Sequence, residues 1–374
     1  MPETTMTETT IFSAPTGARE PNYPRLTPTD PAGPHAGALL LIFDYGLPDE
    51  AGLLAFPVYR SDDGGMSWRQ VSRIRDTALG VGHRFQPTLY ELPAALGGFP
   101  AGTILAAGNA IPEDLSRTHL VLYASTDGAH TWEFLSVIDS GGPAVYDSGP
   151  DSTTSAVWEP ELELIDGALV CFYSDERYKD RGMLQVLVHR SSADLRHWGE
   201  PVLDVGVPDR FTRPGMLVTT PALPDGRVLG VLELVGPPGV PVHLVSSPDG
   251  RDWTPTADVG TPLESVTGTR LSGTPNIAWT RPPGADHATV LVTGRIAVAA
   301  DGSIRNVGLV NRTDGHGEWH EVPLPVAATV APDDPNSGYS QTLVLSPDGR
   351  RLIQSTSRRN AAGGLDIVVG TAPF

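Results

Sequence analysis

The chain has 374 residues, of which 40% are hydrophobic and 19% charged, and its formal net charge is −18. Its 41 Gly and 36 Pro residues make up about a fifth of the chain, which disfavours a helical bundle. The apolar content excludes general disorder, and the negative charge disfavours binding to nucleic-acid phosphates. The first residues lack a secretory signal and no apolar run could span a membrane, so we expect a cytoplasmic protein with no membrane partner, or a secreted one if a signal was removed.

Cofactor chemistry has little support in the sequence. The only cysteine, Cys171, lies in an apolar run, so it predicts a small buried side chain and excludes an intramolecular disulfide and a cysteine-based zinc site. The ten histidines show no zinc-binding spacing, and no phosphate-binding loop or Gly-x-Ser-x-Gly motif is present. We therefore expect no cofactor and no metal ion.

A repeat of the form Ser-x-Asp-x-Gly-x-x-Trp recurs along the chain. Residues 61–68 and 125–132 fit it, weaker copies end at Trp198, Trp253 and Trp319, and a remnant without Trp lies at 346–349. Each copy lies between short apolar runs. The pattern predicts hairpins in which the Asp side chain caps the turn, Gly takes the positive φ and Trp packs between strands.

The predicted strands follow the same period. In chain order they include 9–12, 38–42, 55–59, 119–123, 168–173, 231–235, 340–344, 351–354 and 365–369. A period of about 63 residues over 374 residues predicts six units of four strands, the layout of a β-propeller. Strand 9–12 would complete the last unit and join the chain ends. We thus predict one all-β domain, a six-bladed β-propeller spanning residues 1–374, with residues 1–8 as a loosely attached tail.

Polar residues recur at one phase of the repeat, each time before an apolar strand. Arg213, Asn276 and Tyr339 are spaced by 63 residues. Because innermost strands of a propeller line its central channel, we expect these side chains to gather in one pocket. The candidates at this phase are Arg25, Arg84, Gln86, Trp158, Glu159, Glu161, Arg213, Asn276 and Tyr339.

Two carboxylates stand out among the candidates. Glu161 lies in an inner strand, and Glu233 interrupts the apolar run 231–235, where an acid is costly unless it faces a polar cavity or pairs with an arginine. Glu159 is two residues from Glu161, so in a regular strand both share a face. The sequence does not rank Glu159 against Glu161.

Two further polar groups follow predicted strands. Asp175 and Arg177 come after strand 168–173 and would enter the pocket mouth or form a salt bridge at its rim. Asp44 follows strand 38–42 and would bind a sugar hydroxyl or cap a turn.

Several motifs together resemble glycoside hydrolase family 93, the exo-α-1,5-L-arabinanases. They are Tyr-Pro-Arg at 23–25, Arg-x-Gln-Pro at 84–87, Trp-Glu-Pro-Glu at 158–161, Tyr-Ser-Asp-Glu-Arg at 173–177, Arg-Pro-Gly-Met at 213–216 and Gly-Tyr-Ser-Gln at 338–341. The hairpin repeat resembles the Asp-box of sialidase-like propellers, which lies on the outer rim. The resemblance covers nearly the whole chain and implies a sialidase-related six-bladed propeller that releases arabinobiose from the non-reducing end of linear arabinan with retention of configuration.

The resemblance also implies roles for individual residues. The two family glutamates match best at Glu161 and Glu233, which we assign as nucleophile and acid/base, with the opposite assignment left open. Tyr339 takes the place of the sialidase tyrosine nucleophile and here would orient Glu233 or the sugar. Trp158 would stack on a furanose ring.

Two alternatives remain at this point. An exo-sialidase would find Arg25, Arg213, Tyr339 and Glu233 in place, but a clear third arginine is missing. A non-catalytic sugar-binding propeller would bind without turnover. In each case the expected partner is a carbohydrate and the expected state a monomer. Because arabinan is extracellular and no export signal is visible, the expected substrate of a cytoplasmic enzyme is an imported oligosaccharide or another glycoside, cleaved by another exo-glycosidase on the same propeller.

Overall fold

The computed structural model describes residues 6–15, 19–45, 48, 50–327 and 333–374. Within these residues the chain is almost entirely β-structure, with one short 3-10 helix at Lys179–Arg181. In chain order the strands are β1 (Thr7–Ser13), β2 (Asn22–Pro28), β3 (Leu39–Asp44), β4 (Phe56–Ser61), β5 (Arg69–Ile74), β6 (Thr88–Glu91), β7 (Ile104–Ala110), β8 (Thr118–Ser125), β9 (Glu133–Gly141), β10 (Val157–Ile165), β11 (Ala168–Asp175), β12 (Val186–Ser192), β13 (Val202–Val205), β14 (Arg213–Thr219), β15 (Val228–Val235), β16 (Val242–Ser247), β17 (Thr261–Pro262), β18 (Arg270–Ser272), β19 (Asn276–Thr280), β20 (Thr289–Thr293), β21 (Ile296–Val298), β22 (Ile304–Arg305), β23 (Val307–Asn311), β24 (His320–Pro323), β25 (Thr342–Leu345), β26 (Arg351–Arg359) and β27 (Leu365–Pro373).

The strands form antiparallel sheets, mostly of strands consecutive in the chain. Six sheets have four strands, in the orders β2-β3-β4-β5, β6-β7-β8-β9, β10-β11-β12-β13, β14-β15-β16-β17, β19-β20-β23-β24 and β25-β26-β27-β1, and a small seventh sheet is β18-β21-β22. The first strand of each four-stranded sheet contacts that of the next, from β2 through β6, β10, β14 and β19 to β25, and β25 contacts β2. A closed ring of small sheets is typical of a β-propeller. The all-β prediction is confirmed, and within the described residues no helix is long and apolar enough to cross a membrane.

The N-terminal strand closes the ring. β1 pairs with β27 from Thr7↔Thr371 to Ser13↔Asp366, so the predicted joining of the chain ends is confirmed. Glu8 forms an ion pair with Arg358 at 2.6 Å. Within the predicted tail 1–8, Thr7 and Glu8 therefore belong to a sheet, whereas residues 1–5 lie outside the described residues.

The core lies between the faces of neighbouring sheets. One cluster joins side chains of the second and third sheets, among them Leu122 of β8 and Val188 of β12. Cys171 is fully buried in this cluster, as predicted. Such layers hold the first strands in register around the centre, where the polar residues lie.

The repeated turns have one geometry. At the turn between β4 and β5, Asp63 accepts hydrogen bonds from the backbone N–H groups of Met66 and Ser67 at 3.0 and 2.9 Å, and the Ser67 hydroxyl donates to it at 2.5 Å. The Ser67 bonds lower the pKa of Asp63 to about 2. Asp127, Asp194 and Asp249 accept backbone N–H groups in the same way. These carboxylates replace backbone partners that a tight turn cannot supply.

Substitution of this carboxylate should destabilise the fold. Asp63→Ala leaves two turn N–H groups without their acceptor, and we expect the free energy of unfolding to fall by about 1 kcal/mol. Urea unfolding followed by tryptophan fluorescence measures the change. Asp286→Ala, at an exposed aspartate, is the control. Equal stability of the two variants would contradict a structural role for Asp63.

Candidate active site

The six inner strands share a backbone irregularity where they enter the centre. A non-glycine residue with positive φ lies within the first four residues of each strand or up to three residues before it, and the residues are Tyr23 (54°), Phe85 (65°) and Gln86 (51°), Glu159 (64°), Met216 (52°), Thr274 (37°) and Ser340 (55°). In β2, β10 and β14 the pairing register shifts at this point, which marks a β-bulge. Such backbone costs free energy and persists only where its surroundings hold it.

Hydrogen bonds from one sheet to the next hold these bulges. In four of the six strands the N–H of the positive-φ residue donates to a side chain of the preceding sheet, and the four bonds are Glu159 N to Gln86 Oε1 (3.1 Å), Met216 N to Glu159 Oε2 (2.7 Å), Thr274 N to Glu233 Oε2 (2.6 Å) and Ser340 N to Thr274 Oγ1 (3.0 Å). We call these four bonds the bulge ring. Its bonds hold the carboxylates of Glu159 and Glu233 in place at the centre.

Glu159 is the carboxylate with more donors. Its Oε2 accepts the Ser174 hydroxyl at 2.6 Å and the Met216 N–H at 2.7 Å, and Gln86 Nε2 lies 3.4 Å from Oε1. Burial raises the pKa of Glu159, against the lowering effects of Ser174 and of the Arg213 charge. Most of its hydrogen-bonding capacity is thus used to stabilise the carboxylate form.

Glu233 has a different environment. It lies on β15 opposite Gly215 of β14, and the one hydrogen bond described for it comes from the Thr274 N–H at 2.6 Å. Burial and the nearby charge of Glu159 raise the pKa of Glu233 from 4.5 to about 7. At neutral pH Glu233 therefore holds a proton for a substantial fraction of the time.

Gly215 lies between the two carboxylates. A Cβ at this position would lie 3.5 Å from Glu159 Oε2, 3.9 Å from Glu233 Oε1 and 2.8 Å from Gln185 Nε2. Glu159 Oε2 and Glu233 Oε1 therefore lie no farther apart than the sum of the 3.5 and 3.9 Å distances. A side chain here would strike Gln185 and enter the space between the glutamates.

Two tyrosines form the neighbouring wall. The rings of Tyr23 and Tyr339 meet edge to face with centroids 4.8 Å apart, and their hydroxyls are hydrogen-bonded. Burial raises the pKa of Tyr339 well above its usual range, and Tyr23 and Glu233 raise it further. Both tyrosines line a cavity of about 300 Å³ together with Arg19, Phe85 and Asn336.

Arg213 supplies positive charge beside the pair. Its guanidinium forms an ion pair with the buried Glu176 and lies over the Tyr146 ring, 4.7 Å from the centroid. The Arg213 charge lowers the pKa values of both Glu159 and Glu233, which opposes the effect of burial. Within the described residues no group of three or more His, Cys, Asp or Glu side chains is placed to hold a metal ion.

No family profile and no curated protein matches the chain. Several solved structures are similar to the chain. The Penicillium chrysogenum α-L-arabinanase complexed with arabinobiose is 34% identical, with 97% of each chain covered and a TM-score of 0.82. The Fusarium graminearum GH93 α-L-arabinofuranosidase with arabinobiose is 30% identical over 98% of this chain and 97% of that one, with a TM-score of 0.83. The chain belongs to glycoside hydrolase family 93. A Hadza microbial sialidase, 14% identical over 95% of this chain and 66% of its own with a TM-score of 0.60, shares the fold.

The structure divides the predicted site of this family 93 chain between two places. Glu159, Glu233, Gln86, Arg213 and Tyr339 surround one space. Arg25, Glu161 and Asn276 instead line a central channel farther along the inner strands, where Arg25 Nη2 lies 3.4 Å from Glu161 Oε2. The expectation that Glu159 and Glu161 share a face is wrong, because the bulge between Trp158 and Glu161 breaks the alternation of the strand.

The predicted rim pair is an ion-pair network. Arg177 lies 2.6 Å from carboxylate oxygens of both Asp175 and Asp139, and Asp175 is fully buried. This matches the salt-bridge alternative for Asp175 and Arg177. The network fixes the chain that carries Ser174 and Glu176 into the site.

Three other predicted ligands are occupied by protein contacts. Asp44 is buried and forms an ion pair with Arg19 at 2.7 Å. Arg84 Nε donates to the Ile111 carbonyl at 3.3 Å. Trp158 is 8% exposed within a small apolar cluster, so little of its ring remains to stack on a sugar.

The sequence analysis missed several residues of this site. Arg19, Glu176 and Arg295 all lie close to it, and the charge of Arg295 lowers the pKa of Glu233. Glu176 and Arg295 directly or nearly follow the second strand of their sheets, as Asp44 ends its own. Polar residues at the ends of the second strands could therefore have been predicted as residues of the site.

The proton on Glu233 predicts a dependence of stability on pH. Between pH 4.5 and about 7 the folded chain holds a proton that the unfolded chain releases, so the free energy of unfolding falls as pH rises. Glu233→Gln should abolish this fall in the free energy of unfolding, which is on the order of 3 kcal/mol between pH 4 and pH 8. Urea titrations of both proteins at these two pH values measure it. Glu318→Gln, at a side chain that is 77% exposed, should follow the wild type, and parallel curves for wild type and Glu233→Gln would refute the raised pKa.

Proposed function

We propose that the chain is a retaining exo-α-1,5-L-arabinanase that releases arabinobiose from the non-reducing end of linear arabino-oligosaccharides. Two relatives at 34% and 30% identity bind arabinobiose in their structures. We further propose that the six four-stranded sheets are the blades of a sialidase-like propeller and that the turns around Asp63 and its counterparts are Asp-boxes. The ring contacts of β2, β6, β10, β14, β19 and β25 support six blades, and the shared turn bonds support the Asp-boxes.

The observation that carries the proposed reaction is the pair of buried carboxylates on either side of Gly215. Retaining glycosidases place their carboxyl groups ~5–5.5 Å apart, and inverting enzymes ~6.5–9.5 Å apart to admit a water. The upper limit given by the Gly215 distances admits the retaining separation and the narrow end of the inverting range, so retention rests on the family resemblance. The geometry supports Glu159 rather than Glu161 as the partner of Glu233, because Glu159 and Glu233 both lie beside Gly215.

The two environments suggest the roles. Glu159 accepts hydrogen bonds from Ser174 and Met216 that stabilise its carboxylate, which suits a nucleophile attacking the anomeric carbon. Glu233, with a pKa of about 7, suits the acid that protonates the departing glycosidic oxygen. The attack forms a glycosyl ester on Glu159 as the C–O bond to the leaving sugar breaks and Glu233 gives up its proton.

The second half of the reaction follows from the coupling of the two groups. The glycosyl ester has no charge, so the repulsion that raises the pKa of Glu233 disappears while the ester exists. Glu233 then remains ionised and can take a proton from water, whose oxygen attacks the anomeric carbon and restores Glu159. Tyr339 would orient Glu233 and the sugar from the adjoining wall.

The contacts of the arginines do not favour a sialidase. Arg25 pairs with Glu161 and Arg213 with Glu176, so each is already neutralised by a protein carboxylate. A substrate carboxylate would have to displace these partners. We propose that the protein acts as a monomer on a neutral substrate.

Substitution of each glutamate by glutamine tests the assignment. We expect Glu159→Gln and Glu233→Gln to lower the rate of arabinobiose release from linear α-1,5-arabino-oligosaccharides at least ~10³-fold, because each removes a group that acts in the transition state. Glu161→Gln, two residues away on β10, should lose far less. Chromatography of the products gives the rates. Loss of activity in Glu161→Gln but not in Glu159→Gln would return the nucleophile to Glu161, and cleavage of sialosides alone would refute the substrate.

Azide rescue separates the two roles. With an aryl α-L-arabinobioside, whose leaving group needs no proton, azide should attack the glycosyl-enzyme of Glu233→Ala and yield the α-azide. In Glu159→Ala azide should replace the nucleophile and yield the β-azide. NMR of the glycosyl azides distinguishes the configurations. The opposite pattern would exchange the roles of Glu159 and Glu233.

A further inference from the structure

Two exposed aromatic side chains lie beside the proposed catalytic pair. Tyr146 is 63% exposed and Phe211 is 71% exposed, whereas every other Phe, Tyr and Trp of the described residues is buried or half-buried. A single exposed apolar side chain needs no explanation. These two are both neighbours of Arg213, Tyr146 in space and Phe211 two positions before it in the chain, so their exposure is concentrated at one place.

The position of both residues relates them to the catalytic space. The Tyr146 ring lies 4.7 Å from the Arg213 guanidinium, whose charge lowers the pKa values of both carboxyls of the proposed pair. Phe211 precedes β14, and a Cβ on Gly236 would lie 2.0 Å from its carbonyl oxygen, so the two backbones are in contact. Gly236 comes three residues after Glu233. The two aromatic residues therefore border the catalytic space, and neither lines the central channel.

Hydrogen bonds join the two segments that carry these rings. Arg210, the residue before Phe211, donates from Nη1 to the carbonyl of Pro150, which belongs to the loop that carries Tyr146, at 3.3 Å. Asp209 accepts the Phe211 N–H at 2.7 Å and so fixes the turn before β14. The segments are held relative to one another before a ligand arrives, which lowers the entropic cost of binding across both.

The chemistry of the surface favours a neutral ligand with an apolar face. Arg213 is already paired with Glu176, so it offers no free charge to a ligand. The guanidinium covers part of Tyr146, and the 63% exposure leaves the rest of that residue open. A sugar ring presents a face of C–H groups with hydroxyls at its edge, and aromatic rings bind such faces through the apolar area that they bury.

The direction of the substrate decides which sugars would reach this surface. An exo-acting enzyme encloses the end of the chain that it releases, whereas the leaving part of the chain extends into solvent, where the two rings are. Glu233 protonates the leaving oxygen in the proposed reaction, and Phe211 adjoins the segment that follows Glu233 on β15. We propose that Tyr146 and Phe211 form an aromatic platform that binds the sugars on the reducing-end side of the bond that is cut. This inference rests on the proposed function.

Substrates with and without leaving sugars test the platform. α-L-Arabinobiosyl fluoride has no sugar beyond the bond that is cut, whereas linear arabinohexaose has several. We expect Tyr146→Ala and Phe211→Ala each to lower kcat/KM for arabinohexaose about 10-fold, mainly through KM, and to leave the value for the fluoride within about 2-fold. Phe211→Trp keeps an aromatic face and should retain activity on arabinohexaose. Val202→Ala, at a 49% exposed valine on β13, is the control and should change neither rate.

Unchanged turnover of the fluoride also shows that the alanine variants fold. An equal loss of rate on both substrates would place the rings against the released disaccharide, and an unchanged rate on arabinohexaose would show that they touch no sugar. Either result would overturn the platform.

Binding measurements separate the platform from the reaction. In Glu233→Gln, addition of Tyr146→Ala or Phe211→Ala should weaken calorimetric binding of arabinohexaose about 10-fold and leave binding of arabinobiose unchanged. If the wild type hydrolyses neither substrate, the proposed reaction fails while these titrations still decide the platform. If the wild type hydrolyses both and the titrations show no dependence on the rings, the reaction stands and the platform fails.

A second copy of the chain is the alternative occupant of this surface. Sedimentation velocity of the wild type and Phe211→Ala tests it. A dimer that dissociates in Phe211→Ala, together with unchanged kinetics on arabinohexaose, would make the aromatic pair a contact between copies and overturn the proposal.

Discussion

The candidate active site depends on the backbone conformation at the N-terminal ends of the inner strands. A regular strand would continue its alternation into the centre and point every second side chain between the sheets. Each of the six strands instead has a positive-φ residue within its first four residues or just before it, a conformation that costs of order 1–3 kcal/mol for a residue with a side chain. The bulge ring offsets part of this cost, because strained N–H groups donate to Gln86, Glu159, Glu233 and Thr274. The same hydrogen bonds therefore support the strained backbone and position the carboxylates of the site.

The bulge ring also makes the two catalytic candidates unequal. Two carboxylates that share a buried space cannot both ionise at low cost. Glu159 receives the Ser174 hydroxyl together with the Met216 N–H, whereas a single described bond, from Thr274, reaches Glu233. The proton therefore resides mainly on Glu233, whose pKa is raised to about 7 by burial and by Glu159. In the proposed mechanism, this difference would make one of two chemically identical side chains the acid and the other the nucleophile.

Much of the fold follows from local sequence rules. The Ser-x-Asp turns and the continuous apolar run 38–42 depend on residues that are neighbours in the chain, and the structure contains both. The joining of the chain ends followed instead from the number of strands in each repeat. The choice between Glu159 and Glu161 depends on a bulge, and sequence offers no sign of it because the positive-φ residues are Tyr, Gln, Glu, Met, Thr and Ser rather than glycine. Arg295 was missed for another reason, since only the packing of β19 against β15 in the folded ring brings the turn after β20 near Glu233.

A bulge also explains how one strand, β10, can serve two cavities. On β10 the irregular step between Trp158 and Glu161 turns Glu159 towards Ser174 and Met216, after which regular alternation carries Glu161 to Arg25 and the channel. The pairing of Glu161 with Arg25 offsets the charge of a carboxylate that lies two residues from Glu159 on the same strand. The bulge therefore separates a carboxylate that is neutralised by an arginine from one that accepts hydrogen bonds beside Glu233.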